Sequence, residues 1–134
     1  MIVLSNSEEV TVAAGQPVIF DTVVSHTGKG ECHRPNTGSV KMCCQGIYEL
    51  HFSGNITGDT AATPVQLQLQ TTGVNLPETI MIAVPAAAGD LVNVGTETLY
   101  RNTCCDFDRV SVVNTGTEAV TIGAGSAFFV KRVA

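Results

Sequence analysis

The chain has 134 residues, the length of one domain, with 44% hydrophobic and only 14% charged residues, and seven basic against twelve acidic for a net charge of −5. No Lys or Arg falls between Lys41 and Arg101, while Glu49, Asp59, Glu78, Asp90 and Glu97 do, so a phosphate backbone is repelled along that stretch and nucleic acid is not an expected partner. The first residues lack a basic region, and the longest apolar run elsewhere, Ile80 to Ala88, falls far short of the ~20 residues of a membrane span.

The expected product is therefore a protein made in the cytoplasm of whatever cell produces it, without a signal peptide, and acting without a membrane. Its charge content lies well below the ~25% of an average soluble domain, which suggests that part of the surface is covered by something else. The 18 valines and 16 threonines favour pleated, half-buried strands over helices, because β-branched side chains lose freedom in a helix and pack well on a sheet.

In chain order, residues 1–8 read as an N-terminal arm, with Met1, Ile2, Val3 and Leu4 as its anchoring part, ahead of a single domain over 9–134. Strands are then expected at about 9–13, 17–25, 38–43, 46–57, 64–72, 78–84, 90–100, 107–114, 118–123 and 126–133. The clearest alternations are Tyr48, Leu50 and Phe52 against Glu49, His51 and Ser53, and Val65, Leu67 and Leu69 against Gln66, Gln68 and Gln70. Turn signals separate these runs, among them Ala14-Gly15-Gln16-Pro17, Thr27-Gly28-Lys29-Gly30 and Asn114-Thr115-Gly116-Thr117, the last read as a hairpin loop. Short strands with turns every ~8–12 residues make an all-β antiparallel sandwich or barrel.

Three segments go beyond generic sheet. Gly46-Ile47-Tyr48-Glu49-Leu50-His51-Phe52, then Ala88-Gly89-Asp90-Leu91-Val92-Asn93-Val94, then the closing Gly125-Ser126-Ala127-Phe128-Phe129-Val130-Lys131-Arg132-Val133-Ala134 resemble, in order and spacing, the jelly rolls of tumour necrosis factors and complement globular heads. A finer pattern of Cys32-His33-Arg34-Pro35, Gly38-Ser39, Cys104-Cys105 and Val110-Ser111-Val112 resembles short proteins of gut Firmicutes and their bacteriophages, related to the terminal domains of spore-surface collagen-like proteins. No Gly-x-y repeat occurs within the 134 residues, so a head standing without a collagen stalk is expected. The resemblance implies a compact homotrimeric jelly roll with a structural or attachment role. The residues suggested for the trimer contact are Tyr48, Gln66, Gln68, Gln70, Phe128 and Phe129. The two phenylalanines point to opposite faces of one strand, so one can enter the core while the other reaches a symmetry axis.

Chemistry-bearing residues are few. Cys32, Cys43, Cys44, Cys104 and Cys105 lack the Cys-x2–4-Cys knuckle of structural zinc, so no metal is expected. Two states remain open for them: disulfides, with Cys32 and Cys43 clipping the intervening loop and one member of each doublet meeting across sheets, or thiols buried as small apolar groups. No Gly-x-Ser-x-Gly, His-Glu-x-x-His or phosphate-cradling loop occurs, and neither an enzyme nor a cofactor is expected. Asp106 and Asp108 read as solvated charges rather than a calcium site. His51 reads as a surface or interface imidazole.

The expected function is a structural virion protein, a trimeric capsid decoration or short head fibre on the virion surface, partnered by itself and by the major capsid or another virion protein. The alternatives are a receptor- or glycan-binding fibre tip using loops 27–37, 58–64, 73–78 and 101–107, or a bacterial spore-surface head.

Overall fold

The computed structural model of the chain describes residues 1–33, 37–103 and 108–134. Two antiparallel sheets face each other across one apolar core. In the first sheet β6 (Gly46–Thr57) is central, and β10 (Val92–Asn102) pairs along its whole length, with Glu97 opposite His51 and Leu99 opposite Glu49. The other edge of β6 carries β13 (Ala127–Arg132) and, farther along, β12 (Val120–Ile122). β1 (Ile2–Ser5) pairs with β13, β2 (Val10–Val12) pairs with β12, and β3 (Thr22–His26) lies outside β1. The second sheet runs from β4 (Glu31–His33) through β5 (Ser39–Met42) and β11 (Arg109–Val113) to β7 (Val65–Thr71). Two short strands, β8 (Val74–Asn75) and β9 (Met81–Ala83), also pair with β7. The chain is an all-β antiparallel sandwich, as the alternating sequence predicts, with the jelly roll that the resemblance implies.

The period of two explains the core. Tyr48, Leu50 and Phe52 on β6, Leu67 and Leu69 on β7, Val110 and Val112 on β11, and Phe128 and Val130 on β13 all turn inward and are buried. Phe20 lies among them, stacked on Phe128 with ring centroids 5.4 Å apart and tilted against Phe52 at 6.4 Å. Such offset and tilted pairs add attraction between rings to the burial of their area.

Several expectations need correction. Residues 1–8 are not an arm: Ile2 and Leu4 are buried between β13 and β3. Asn6 then joins the same sheet, donating to the carbonyls of Glu8 and Gly123 and accepting from the amide and hydroxyl of Ser126. The boundary at residue 9 therefore falls inside the domain. The strand expected over 17–25 begins regular pairing only at Thr22, because the chain crosses between sheets first, touching Val113 at Pro17 and Thr37 at Phe20. Proline has no N–H for a ladder at that point.

The strand expected over 78–84 opens instead as a 3-10 turn at Pro77–Thr79, leaving β9 three residues long. The loop at Asn114-Gly116 is not a hairpin. β11 and β12 lie in different sheets, and Asn114 carries the crossing by donating to the carbonyls of Val12 (3.0 Å) and Glu118 (2.8 Å) while accepting from the Gly116 amide (3.0 Å).

Candidate functional site

The outward positions of the first sheet form the most distinctive surface. Since Phe128 and Val130 point inward, Phe129 and Lys131 point out, and the registers place Phe129 between His51 on β6 and Val3 on β1. The imidazole of His51 meets the ring of Phe129 edge-on, centroids 6.4 Å apart. On β10 the outward Leu99, opposite Glu49, is 65% exposed. At the far edge the β1–β3 register shifts between Val3 and Leu4, and Val24 in that irregularity is 61% exposed. Thus apolar groups stand on the solvent side of a sheet whose other side is already a complete core.

A second apolar patch lies on the edge of the sandwich. β9 pairs only with β7 among the described strands. Met81 and Ala83 turn inward, so Ile80, Ile82 and Val84 turn outward, with Ile82 57% exposed. β9 packs beside β10, and Leu91, just before β10, is exposed as well. A short edge strand whose outward Ile82 is flanked by outward Ile80 and Val84 is poorly protected against a partner unless that partner is intended.

The residues expected at a trimer contact are divided by the structure. Tyr48 is fully buried, and its hydroxyl bridges the carbonyls of Gly30 (3.0 Å) and Cys44 (2.8 Å) while accepting from the Cys44 amide (3.2 Å). Burial holds its phenol pKa above the ordinary value. Phe128 is fully buried as well. Neither side chain is open to another protomer, which corrects both expectations. Gln68 is also buried, donating to the carbonyl of Leu76 (3.0 Å). Gln66 and Gln70 are half-buried and donate to Thr115 Oγ1 (2.8 Å) and Asn75 Oδ1 (2.6 Å). Of the six, Phe129 stands on the outer face of the first sheet. Gln66 sits opposite Ile82 in the β7–β9 register, at the margin of the edge patch.

The exposed members of both patches, Leu99, Val24 and Ile82 above all, escape sequence reasoning, because alternation shows that two faces exist without showing which one meets solvent.

The cysteine positions diverge too. Cys43 and Cys44 follow β5 in a turn. The Sγ atoms of Cys32 and Cys43 lie 2.7 Å apart, whereas Cys44 Sγ has a long contact of 4.0 Å to the carbonyl of Lys29. Burial, then the neighbouring Cys32, push the Cys43 thiol up to about 11. Cys104, Cys105 and Asp106 lie outside the described residues. Asp108 is engaged within the chain, accepting from the Tyr100 hydroxyl (2.6 Å) and Thr72 Oγ1 (3.0 Å); burial, then that bond, raise the Tyr100 phenol pKa.

No family model and no curated protein matches the sequence. Solved structures do match. The Eiger TNF of S. frugiperda is 14% identical with a TM-score of 0.74, the match covering 99% of this chain and 91% of that one. The globular domain of a zebrafish complement 1qA protein is 15% identical with a TM-score of 0.68, covering 96% and 94%. The vertex protein of PRD1 is 13% identical with a TM-score of 0.55, covering 99% and 94%. At such identities the likeness is one of fold: the chain has the jelly roll of the tumour necrosis factor and complement-head domains, over nearly its whole length.

Proposed function

We propose that the chain is a homotrimeric structural head domain of a bacteriophage virion, serving as a capsid decoration or short head fibre bound to the major capsid or another virion protein. The observation that carries the trimer is the pair of apolar patches on different parts of one protomer: the outer face of the first sheet around Phe129 and Leu99, and the β9 edge around Ile82. Two unlike patches on one chain favour a heterologous contact, edge against face, which closes into a ring when the rotation between neighbours divides the circle. A three-fold ring covers both patches on every copy and suits the local three-fold positions of an icosahedral shell.

The virion part of the reading is supported by the likeness to the PRD1 vertex protein, by the resemblance of the cysteine and closing-strand pattern to phage proteins, and by the sparse charge of the chain. Since Ile2–Ser5 is spent inside the sheet, attachment to a capsid falls to loops or to the base of the trimer rather than to an N-terminal arm.

Light scattering on the purified native protein tests the assembly. Three copies of the 14.0 kDa chain give about 42 kDa, with or without reductant, whereas a single-chain mass removes the trimer and leaves a lone binding sandwich. Mass spectrometry of gradient-purified particles from the lysed host tests the location. Copies in stoichiometric proportion to the capsid protein support decoration; recovery in the spore-coat fraction instead overturns the virion reading.

A further inference from the structure

We propose that Cys32 and Cys43 are a reversible dithiol–disulfide pair that clips the β4–β5 hairpin, open in a reducing cytoplasm and closed when the protein meets a small-molecule disulfide. The assignment holds whatever the assembly does. Cys32 lies on β4 opposite Lys41 of β5, and Cys43, two residues beyond Lys41, is its diagonal neighbour on the same face. The two sulfurs stand 2.7 Å apart, a small movement from the ~2.05 Å of a formed bond. The backbone at this point is already held: the Cys43 amide donates to the carbonyl of Gly30 at 2.7 Å, and the Met42 amide to that of Asp108 at 2.8 Å. Little native geometry has to change for the bond to form.

The hairpin is also where the two sheets are tied. The buried Glu31 accepts the amide of Arg132 on β13 at 2.7 Å, and the Tyr48 hydroxyl of β6 bridges Gly30 and Cys44 on either side of the pair. A covalent bond between Cys32 and Cys43 therefore shortens the free loop of an edge hairpin that joins both sheets.

The exchange is balanced by its co-reactant. The exposed Cys32, as thiolate, attacks one sulfur of a small disulfide RSSR, forming a mixed disulfide and releasing RS⁻. Cys43, losing its proton to solvent or to the released thiolate, attacks Cys32 Sγ and expels the second RS⁻. Two protein thiols are oxidised to one disulfide, and RSSR is reduced to two RSH. The raised Cys43 thiol makes the second step the slower one, which places the first attack on Cys32.

The test incubates the full chain with mixtures of reduced and oxidised glutathione, alkylates the remaining thiols and digests with trypsin, whose cuts after Lys29, Lys41, Arg101 and Arg109 separate Cys32, the 43–44 doublet and the 104–105 doublet. The expected product links peptide 30–41 to peptide 42–101. The link persists in Cys44→Ser and disappears in Cys43→Ser, where a glutathione adduct accumulates on Cys32. The oxidised wild type melts about 10 °C above the reduced form, as closing a loop of this length predicts, and Cys43→Ser loses that difference. Three results each overturn the pair: a link from peptide 30–41 to peptide 102–109, a link that survives Cys43→Ser, or full alkylation of wild-type Cys32 under oxidising mixtures.

Discussion

On the outer face of the first sheet Val3, Leu99 and Phe129 stand among Glu49, His51, Glu97 and Lys131; on the outer face of the second, Ser39, Gln70 and Ser111 share one register row with no large apolar side chain. The inner faces show no such contrast, since both are filled by buried aliphatic and aromatic residues. Folding needs only the inner faces, so a difference confined to the outer ones records what each face meets afterwards. The amides of the second sheet find partners within the chain, Gln68 at Leu76 and Gln70 at Asn75. The apolar groups of the first sheet have no comparable means of being satisfied except cover from outside.

The harshest way to break the contrast is Phe129→Glu. It replaces an apolar ring of the outer face by a carboxylate, beside His51 and Val3, where assembly would bury it away from water. Light scattering is expected to fall from about three chains to one, with the β signal of the monomer kept because the ring lies outside the core. A mass that stays at three chains moves the interface off this face. Its neighbour on the same strand gives the opposite signature. Phe128→Ala removes a ring stacked on Phe20 and is expected to cost ~3–5 kcal/mol of stability, measured by urea unfolding at one fixed protein concentration.

That one strand produces both signatures explains what was legible in the sequence. The alternations of β6 and β7 could be read because one face is buried and the period of two is strict. The opposition of Phe128 and Phe129 followed from the same rule, but which ring points inward depends on the second sheet, which no local pattern describes. Ile2–Ser5 was missed because Ile, Val and Leu in succession show no alternation, and its burial comes from partners 17 to 24 residues along the chain or at its far end. β4 was missed for a related reason: Glu31, Cys32 and His33 carry no strand signature, and Glu31 is buried only because the Arg132 amide and the Met1 ammonium meet its carboxylate.

The Asn114 loop has the residues of a hairpin turn, yet a bond from Asn114 to Val12 makes it a crossing between sheets. The cysteines were legible as a set of pairings, and only the β4–β5 register brings Cys32 to Cys43.

A gentler intervention tests the seam between the sheets. Tyr48→Phe leaves the ring in place and deprives the Gly30 and Cys44 carbonyls of their shared donor, for an expected loss of ~1–2 kcal/mol at neutral pH. The pH dependence carries a definite sign. The folded protein holds the phenol pKa of Tyr48 above its unfolded value of ~10, so folding favours the neutral form. That contribution is whole below pH ~10 and is lost as pH rises through the folded pKa. The stability gap between wild type and Tyr48→Phe should therefore narrow in alkaline solution. Tyr100, raised by burial and by its bond to Asp108, acts in the same direction. Phenolate absorbance is expected to appear above the ordinary tyrosine range, together with loss of β signal; phenolate at ~10 in an intact fold would contradict the burial of both hydroxyls.

The smallest expected effect sharpens the contrast most. Gln70→Ala removes one solvent-side bond to Asn75 (2.6 Å) on the outer face of the second sheet and should change stability by no more than ~0.5 kcal/mol, with no change in the mass of the assembly. Its value lies in being matched to Phe129→Glu, because both side chains point outward and half-buried from a strand paired on both sides. If the apolar face is the covered one, mass responds to Phe129 and is indifferent to Gln70. If Gln70→Ala dissociates the protein while Phe129→Glu leaves it whole, the amide ladder is the interface after all. The bonds that Gln66 and Gln70 make within the chain would then serve to hold their side chains toward a second protomer, and the apolar groups on the first sheet would belong to a different partner.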